Sequence, residues 1–141
     1  MTLTRRQTLA LTGGAALATA LPAISWASDN GTAEAIKAFT GGAEVKEGGV
    51  EIGAPEIAEN GNTVPVEVSA EGAASILLLA AGNPNPGVAT FNFGPLSAAS
   101  SAKTRIRLAQ TQDLVAVAQM ADGSFAQASR TVKVTIGGCG G

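Results

Sequence analysis

The 141-residue chain has no histidine and no tyrosine, and it holds one tryptophan and one cysteine. Without histidine it cannot build a Cys-His dyad, a Ser-His-Asp triad, a cupredoxin-type copper site or a His-containing zinc site. With a single cysteine it can form neither a thiolate cluster nor an internal disulfide. No metal and no cofactor is expected from what remains. Carboxylates are present, but Glu44, Glu47, Glu51, Glu56, Glu59, Glu67 and Glu71 are scattered singly among turn and strand positions. They read as solvated surface rather than as a paired acid and base. Basic side chains are scarce, with nine Lys and Arg against eleven Asp and Glu, which argues against nucleic acid as a partner.

The N-terminus has a short basic head at Arg5 and Arg6, an apolar stretch from Leu9 to Ile24, and the small-x-small sequence Ser25, Trp26, Ala27. This is the pattern of an export signal over residues 1–27, cut after Ala27. The apolar stretch is interrupted by Thr12, Gly13, Gly14, Thr19 and Pro22 and falls short of the roughly 20 residues a spanning helix needs. The paired arginines resemble a twin-arginine signal, with Leu9 in its expected place but Thr8 and Ala10 departing from the common pattern. The expected destination is the periplasm. All eleven acidic residues lie beyond Ala27, so the chain from Ser28 to Gly141 is more acidic than the precursor. It is one domain's worth of sequence, able to bury about two thirds of its unfolded surface without covalent staples.

One short helix is expected first. "GTAEAIKAFTGG" offers Thr32 as N-cap, Glu34 in the first turn, Ile36 and Phe39 on one face, and Gly41 just past the end. It is too short to stand alone, so its apolar edge must dock on this domain or on a partner. From Gly49 the period changes to two. Val50 and Ile52, then Val64, Val66 and Val68, then Ile106 and Leu108, then Val132, Val134 and Ile136 alternate with polar residues. "SILLLAA" (Ser75 to Ala81) and "LVAVAQMA" (Leu114 to Ala121) are nearly continuous apolar runs, as in central strands covered on both faces. Turn signals stand between them at Asn60-Gly61, Asn83-Pro84-Asn85-Pro86-Gly87, Gly94-Pro95 and Asp122-Gly123. With Ala89 to Phe93, about seven strands result, predicting an all-β, immunoglobulin-like β-sandwich without the buried tryptophan or disulfide of antibody domains. The expected organisation is signal 1–27, helix and linker 28–48, sandwich 49–136 and a C-terminal arm 137–141.

That arm holds the only cysteine, in "VKVTIGGCGG". Cys139 between Gly137, Gly138, Gly140 and Gly141 has neither packing partners nor a second sulfur in reach. An odd cysteine in an exported chain marks an intermolecular disulfide or a reactive thiol. On these residues alone a structural module cross-linked through Cys139 and a presented thiol both stand, beside a tail without function.

"AENGNTVPVEV", "NPNPGVATFNFGP", "TRIRLAQTQDLVAVAQMADGSF" and the terminal "VKVTIGGCGG" together resemble the SoxY family of sulfur carriers in thiosulfate oxidation. One departure is "SAEGAASI", Ser69 to Ile76, which is shorter than usual for the family. The resemblance implies a carrier rather than a catalyst, on which Cys139 is the covalent attachment point for thiosulfate-derived sulfur, as an S-thiosulfonate or persulfide. It makes Gly137, Gly138, Gly140 and Gly141 the flexible arm. It implies a SoxZ-like subunit as heterodimer companion, and as client enzymes a c-type cytochrome, a sulfate-releasing hydrolase and a sulfane dehydrogenase.

The chemistry of the arm agrees. Cys139 stands three residues beyond Ile136, a reach of roughly 10 Å. Glycine adds little width and tolerates φ of either sign, which suits threading a narrow pocket. Lys133 is six residues back, and the terminal carboxylate of Gly141 disfavours a thiolate, so activation must come from the partner enzyme. Arg105 and Arg107 alternate along one strand and read as the wet face of a sheet.

Overall fold

The period-two alternation becomes two stacked sheets. The computed structural model describes residues 31–136. They form a helix α1 (Thr32–Thr40) and strands β1 (Val45–Glu47), β2 (Glu51–Gly53), β3 (Ile57–Ala58), β4 (Val64–Ser69), β5 (Ala73–Ala80), β6 (Gly87–Asn92), β7 (Ser101–Ile106), β8 (Gln112–Met120) and β9 (Phe125–Val134). The larger sheet runs β1-β9-β8-β5-β6, with β3 also on β9, and the smaller runs β2-β4-β7. Neighbours are antiparallel except β1 and β3, which lie parallel to β9. This is the immunoglobulin-like β-sandwich.

Side-chain alternation accounts for the layers. On β4 Val64, Val66 and Val68 turn inward while Pro65 faces out. They meet Ile76, Leu78, Leu108, Leu114 and Val132 in the core between the sheets. Each such side chain contributes about 1.5–3 kcal/mol on burial. The opposite face of β5 and β8 carries Leu77, Leu79 and Val117, which is why both strands read as continuous apolar runs. Ala35, Ile36 and Phe39 of α1 cover that face. The Phe39 ring meets Phe125 edge-on, with centroids 6.0 Å apart and planes at 72°. The helix therefore docks on its own domain.

Three local expectations change. Nine strands are described rather than seven. The additional β1 and β3 are three and two residues long, too short to show a period. Strand β9 starts at Phe125, well before Val132, because its first half carries small residues such as Ala126 and Ala128 at inward positions. Finally, the N-cap of α1 is Gly31, at φ 95°, whose carbonyl accepts the Ala35 N–H at 2.9 Å, and Thr32 is the first helical residue. At the other end Gly41 closes the helix as expected, in the left-handed region at φ 66°. Within the short "SAEGAASI" segment, Ser69 ends β4, Ala73 starts β5, and the residues between make a tight turn where the Ala73 N–H reaches the Ala70 carbonyl at 3.1 Å.

Candidate functional site: the root of the C-terminal arm

Cys139, Gly137, Gly138, Gly140 and Gly141 lie outside the described residues, as does the export signal. What the structure describes is the platform from which the arm starts. On one side of β9 the Lys133 N–H donates to the Glu56 carbonyl at 2.9 Å and the Thr135 N–H to the Ala58 carbonyl at 3.1 Å. The Thr135 hydroxyl lies 3.4 Å from the Ala58 carbonyl and 3.3 Å from that of Glu59. The Ile136 carbonyl accepts the Gly61 N–H at 2.8 Å. On the other side the Val134 N–H donates to the Thr111 hydroxyl at 2.9 Å. Lys133, Val134, Thr135 and Ile136 are thus each tied by a main-chain group. At about 0.5–1.5 kcal/mol per bond, their sum holds the last described residue in place.

The elements that supply these partners are themselves clamped. Gly61 belongs to the Asn60-Gly61 turn, where Asn60 Oδ1 accepts the Asn62 N–H at 3.0 Å. Its carbonyl accepts the Leu108 N–H at 2.7 Å. At the same end of the sandwich Asn83, 4% exposed, joins three segments. Its Nδ2 donates to the Arg107 carbonyl at 2.7 Å, and its Oδ1 accepts the Ala109 N–H at 3.0 Å and Gln112 Nε2 at 2.8 Å. Gln112 Oε1 in turn accepts the Gly82 N–H at 2.9 Å. Composition marked Asn83 only as part of a turn. Its role as a buried clamp needs the β5–β6 turn beside the β7–β8 connection, which no local pattern shows.

Around the root the side chains are mixed in character. Ile136 and Ile57 are 67% and 55% exposed, and Ile57 sits in register with Lys133. Arg105 and Arg107 are exposed, with Arg105 Nη1 3.5 Å from the Thr63 hydroxyl. They are remote from Cys139 in sequence, yet the main-chain row Ile136–Gly61–Leu108 brings the neighbour of Arg107 within two hydrogen bonds of the arm root. The single ion pair among the described residues, Lys103 to Glu67 at 3.3 Å, is exposed and worth about 0–1 kcal/mol. Asp122 is held below the usual carboxylate range by the Ser124 hydroxyl and then the Ser124 N–H, but it lies on the β8–β9 hairpin at the far end. Among the described residues no three His, Cys, Asp or Glu side chains gather as a metal would require. Nor is any helix among them long and apolar enough to cross a membrane. These contacts hold the main chain in place up to Ile136.

Comparison with known proteins bears on what is anchored. The family model described as "Sulfur oxidation protein SoxY" matches residues 36–139, so the match ends on the cysteine. The solved structure of the sulfur carrier protein SoxY from Chlorobium limicola f thiosulfatophilum superposes with a TM-score of 0.65 at 40% identity, covering 74% of this chain and 96% of that one. A superoxide reductase (neelaredoxin) from Ignicoccus hospitalis superposes with a TM-score of 0.54 at 22% identity, covering 62% of this chain and 80% of that one, which shows a shared fold alone. No curated protein matches the chain. With the family match spanning most of the chain and a sulfur carrier of the same fold at 40% identity, this chain belongs to the SoxY family of sulfur-oxidation carriers.

Proposed function

We propose that Cys139 carries thiosulfate-derived sulfur covalently and that Gly137, Gly138, Gly140 and Gly141 form the arm presenting it to enzymes. The observation that carries this reading is the contrast at Ile136. The main chain is tied on both sides up to that residue, and a glycine-cysteine-glycine segment follows at once. Such an arrangement gives the sulfur a fixed origin and a reach of roughly 10 Å.

In the proposed cycle the Cys139 thiol and thiosulfate join through a new sulfur–sulfur bond, releasing one proton and two electrons. The electrons pass to a c-type cytochrome. The product is a cysteine S-thiosulfonate. Water then attacks the terminal sulfonate, sulfate and two protons are released, and the cysteine persulfide remains as its anion for a sulfane dehydrogenase to oxidise. The chain supplies attachment and delivery, and the bond-making groups belong to the client enzymes. A SoxZ-like subunit is the proposed heterodimer companion. The site of action is the periplasm, reached by the twin-arginine route with cleavage after Ala27. That route exports folded proteins, which allows the pair to assemble before export.

The test is intact-mass measurement on protein from thiosulfate-grown cells. Masses above the bare polypeptide by a thiosulfonate or by added sulfur atoms are expected, removable by dithiothreitol and missing from Cys139→Ser. If Cys139→Ser supports normal thiosulfate oxidation in a reconstituted mixture, Cys139 is not the attachment point.

A further inference from the structure

Each sheet edge of this sandwich carries a charge, apart from one. Edge strand β7 holds Lys103 and Arg105, β2 holds Glu51, β1 holds Lys46 and Glu47, and the two-residue β3 is flanked by Glu56 and Glu59. Charged side chains and proline on an edge are how β-proteins prevent another strand from pairing there. Strand β6, the last in the order of the larger sheet, reads Gly-Val-Ala-Thr-Phe-Asn and has neither. No charged side chain occurs anywhere between Glu71 and Lys103, a stretch that includes β5, β6 and the loop after it.

The outer edge of β6 has open main-chain groups. The Phe93 N–H turns toward β5, donating to the Ala74 carbonyl at 2.9 Å. Since successive residues of a strand direct these groups to opposite sides, the N–H and C=O of Thr90 and Asn92 face away from β5, where no strand of the described residues lies. Beside this edge the apolar cover is incomplete. Val88, Phe91 and Phe93 are only partly buried against the core, and no residue of β6 is fully buried. Just beyond, Leu96 is 99% exposed.

We infer that the free edge of β6, with Leu96 below it, is where the companion subunit docks, adding one of its own strands to the larger sheet. This rests on the carrier-pair reading above. An uncharged edge with open donors and acceptors calls for an uncharged extended strand, and the half-covered phenylalanines call for apolar side chains beside it. The carrier-pair reading makes the occupant a different chain rather than a second copy. The position also suits the arm. β6 lies three strand spacings, about 14 Å, from β9. Leu96 follows the end of β6 that pairs with Ser75, opposite the end where Ala80, Leu114 and Val132 lie near the arm root. A companion docked here leaves the root open to client enzymes.

The test uses Thr90→Pro. Its N–H faces away from β5 and bonds to no strand among the described residues, so proline is tolerated there by the fold but blocks strand addition. Wild type, Thr90→Pro, Leu96→Asp and Cys139→Ser are each co-purified and titrated with the SoxZ subunit of the same organism. Thermal melting of each free chain confirms folding, and amide exchange is followed at Thr90 and Asn92. Wild type and Cys139→Ser are expected to bind equally, Thr90→Pro and Leu96→Asp to bind about tenfold more weakly or less tightly still, and Thr90 and Asn92 to gain protection only in the complex. Wild-type affinity in both Thr90→Pro and Leu96→Asp, or protection on β7 instead, overturns this surface while leaving the pair intact. Concentration-dependent protection of β6 in the chain alone assigns the edge to a second copy and overturns the inference. A wild-type chain that binds no SoxZ subunit overturns the pair reading and this surface together.

Discussion

Removing the Asn83 side chain measures how firmly the platform under the arm is held. Asn83→Ala deletes a donor 2.7 Å from the Arg107 carbonyl and an acceptor that takes the Ala109 N–H at 3.0 Å and Gln112 Nε2 at 2.8 Å. Gln112 Nε2 keeps a second acceptor, the Gln110 carbonyl at 3.0 Å, so the heavier losses fall on Arg107 and Ala109. At about 1 kcal/mol per bond, and more where a buried group is left unpaired, the expected cost is about 2–4 kcal/mol. For a domain of this size, roughly 4 °C of melting temperature is lost per kcal/mol, giving a drop of roughly 8–16 °C. Far-ultraviolet circular dichroism reads it directly. Asn83→Asp refines the test by keeping the acceptor and the shape while turning an ionised oxygen toward the Arg107 carbonyl. Burial and that carbonyl disfavour the charge, so the folded-state carboxyl titrates above its unfolded value. The native state then binds more protons, stability falls as pH rises from about 4, and the deficit is smallest below it, where the protonated group donates again. A melt of Asn83→Ala within about 2 °C of wild type would refute the clamp, since that is the range of an indifferent surface substitution.

Gly82→Ala places a Cβ 2.6 Å from Gln112 Cβ, and the same melts are expected to show about 1–3 kcal/mol of destabilisation, less than additive with Asn83→Ala because both act through Gln112. Ser124→Ala removes the hydroxyl 2.6 Å from Asp122 Oδ1, so the Asp122 carboxyl is expected to titrate closer to the ordinary aspartate range by NMR. As that group is depressed in the fold, its contribution to wild-type stability is present above the unfolded pKa and is lost as pH falls through the folded value, and an unshifted titration in the variant rules out the Ser124 contact as its cause. Cleavage after Ala27 removes Trp26, the only tryptophan in a chain without tyrosine, so the periplasmic product is expected to absorb almost nothing at the indole band, and full absorbance there refutes the cleavage site.

By itself the sequence determined the sandwich and its covered strands. Alternating valines at 64, 66 and 68 can satisfy only one face of a sheet, and the apolar run from Ser75, bounded by turn signals, reads as a strand covered on both sides, which β5 is. It also determined that Cys139 has no second cysteine in the chain to form a disulfide with and that no histidine chemistry exists in the chain. The short strands β1 and β3 escaped because their pairing with β9 is parallel and non-local, spanning up to eighty residues, and two or three residues show no period. Only the tertiary structure decided that α1 covers its own sheet, since an apolar helix face reads alike whether its cover is this domain or another. Only it joined the Ala58–Gly61 segment and Thr111, far apart in sequence, around the end of β9. Apart from those of the Thr111 and Thr135 hydroxyls, the hydrogen bonds that hold the end of β9 form between main-chain groups, which every residue carries, so side-chain identity could not reveal them. Strand order is also a tertiary property, and it alone made β6 an open edge while β5, in the same uncharged run after Glu71, is a buried central strand.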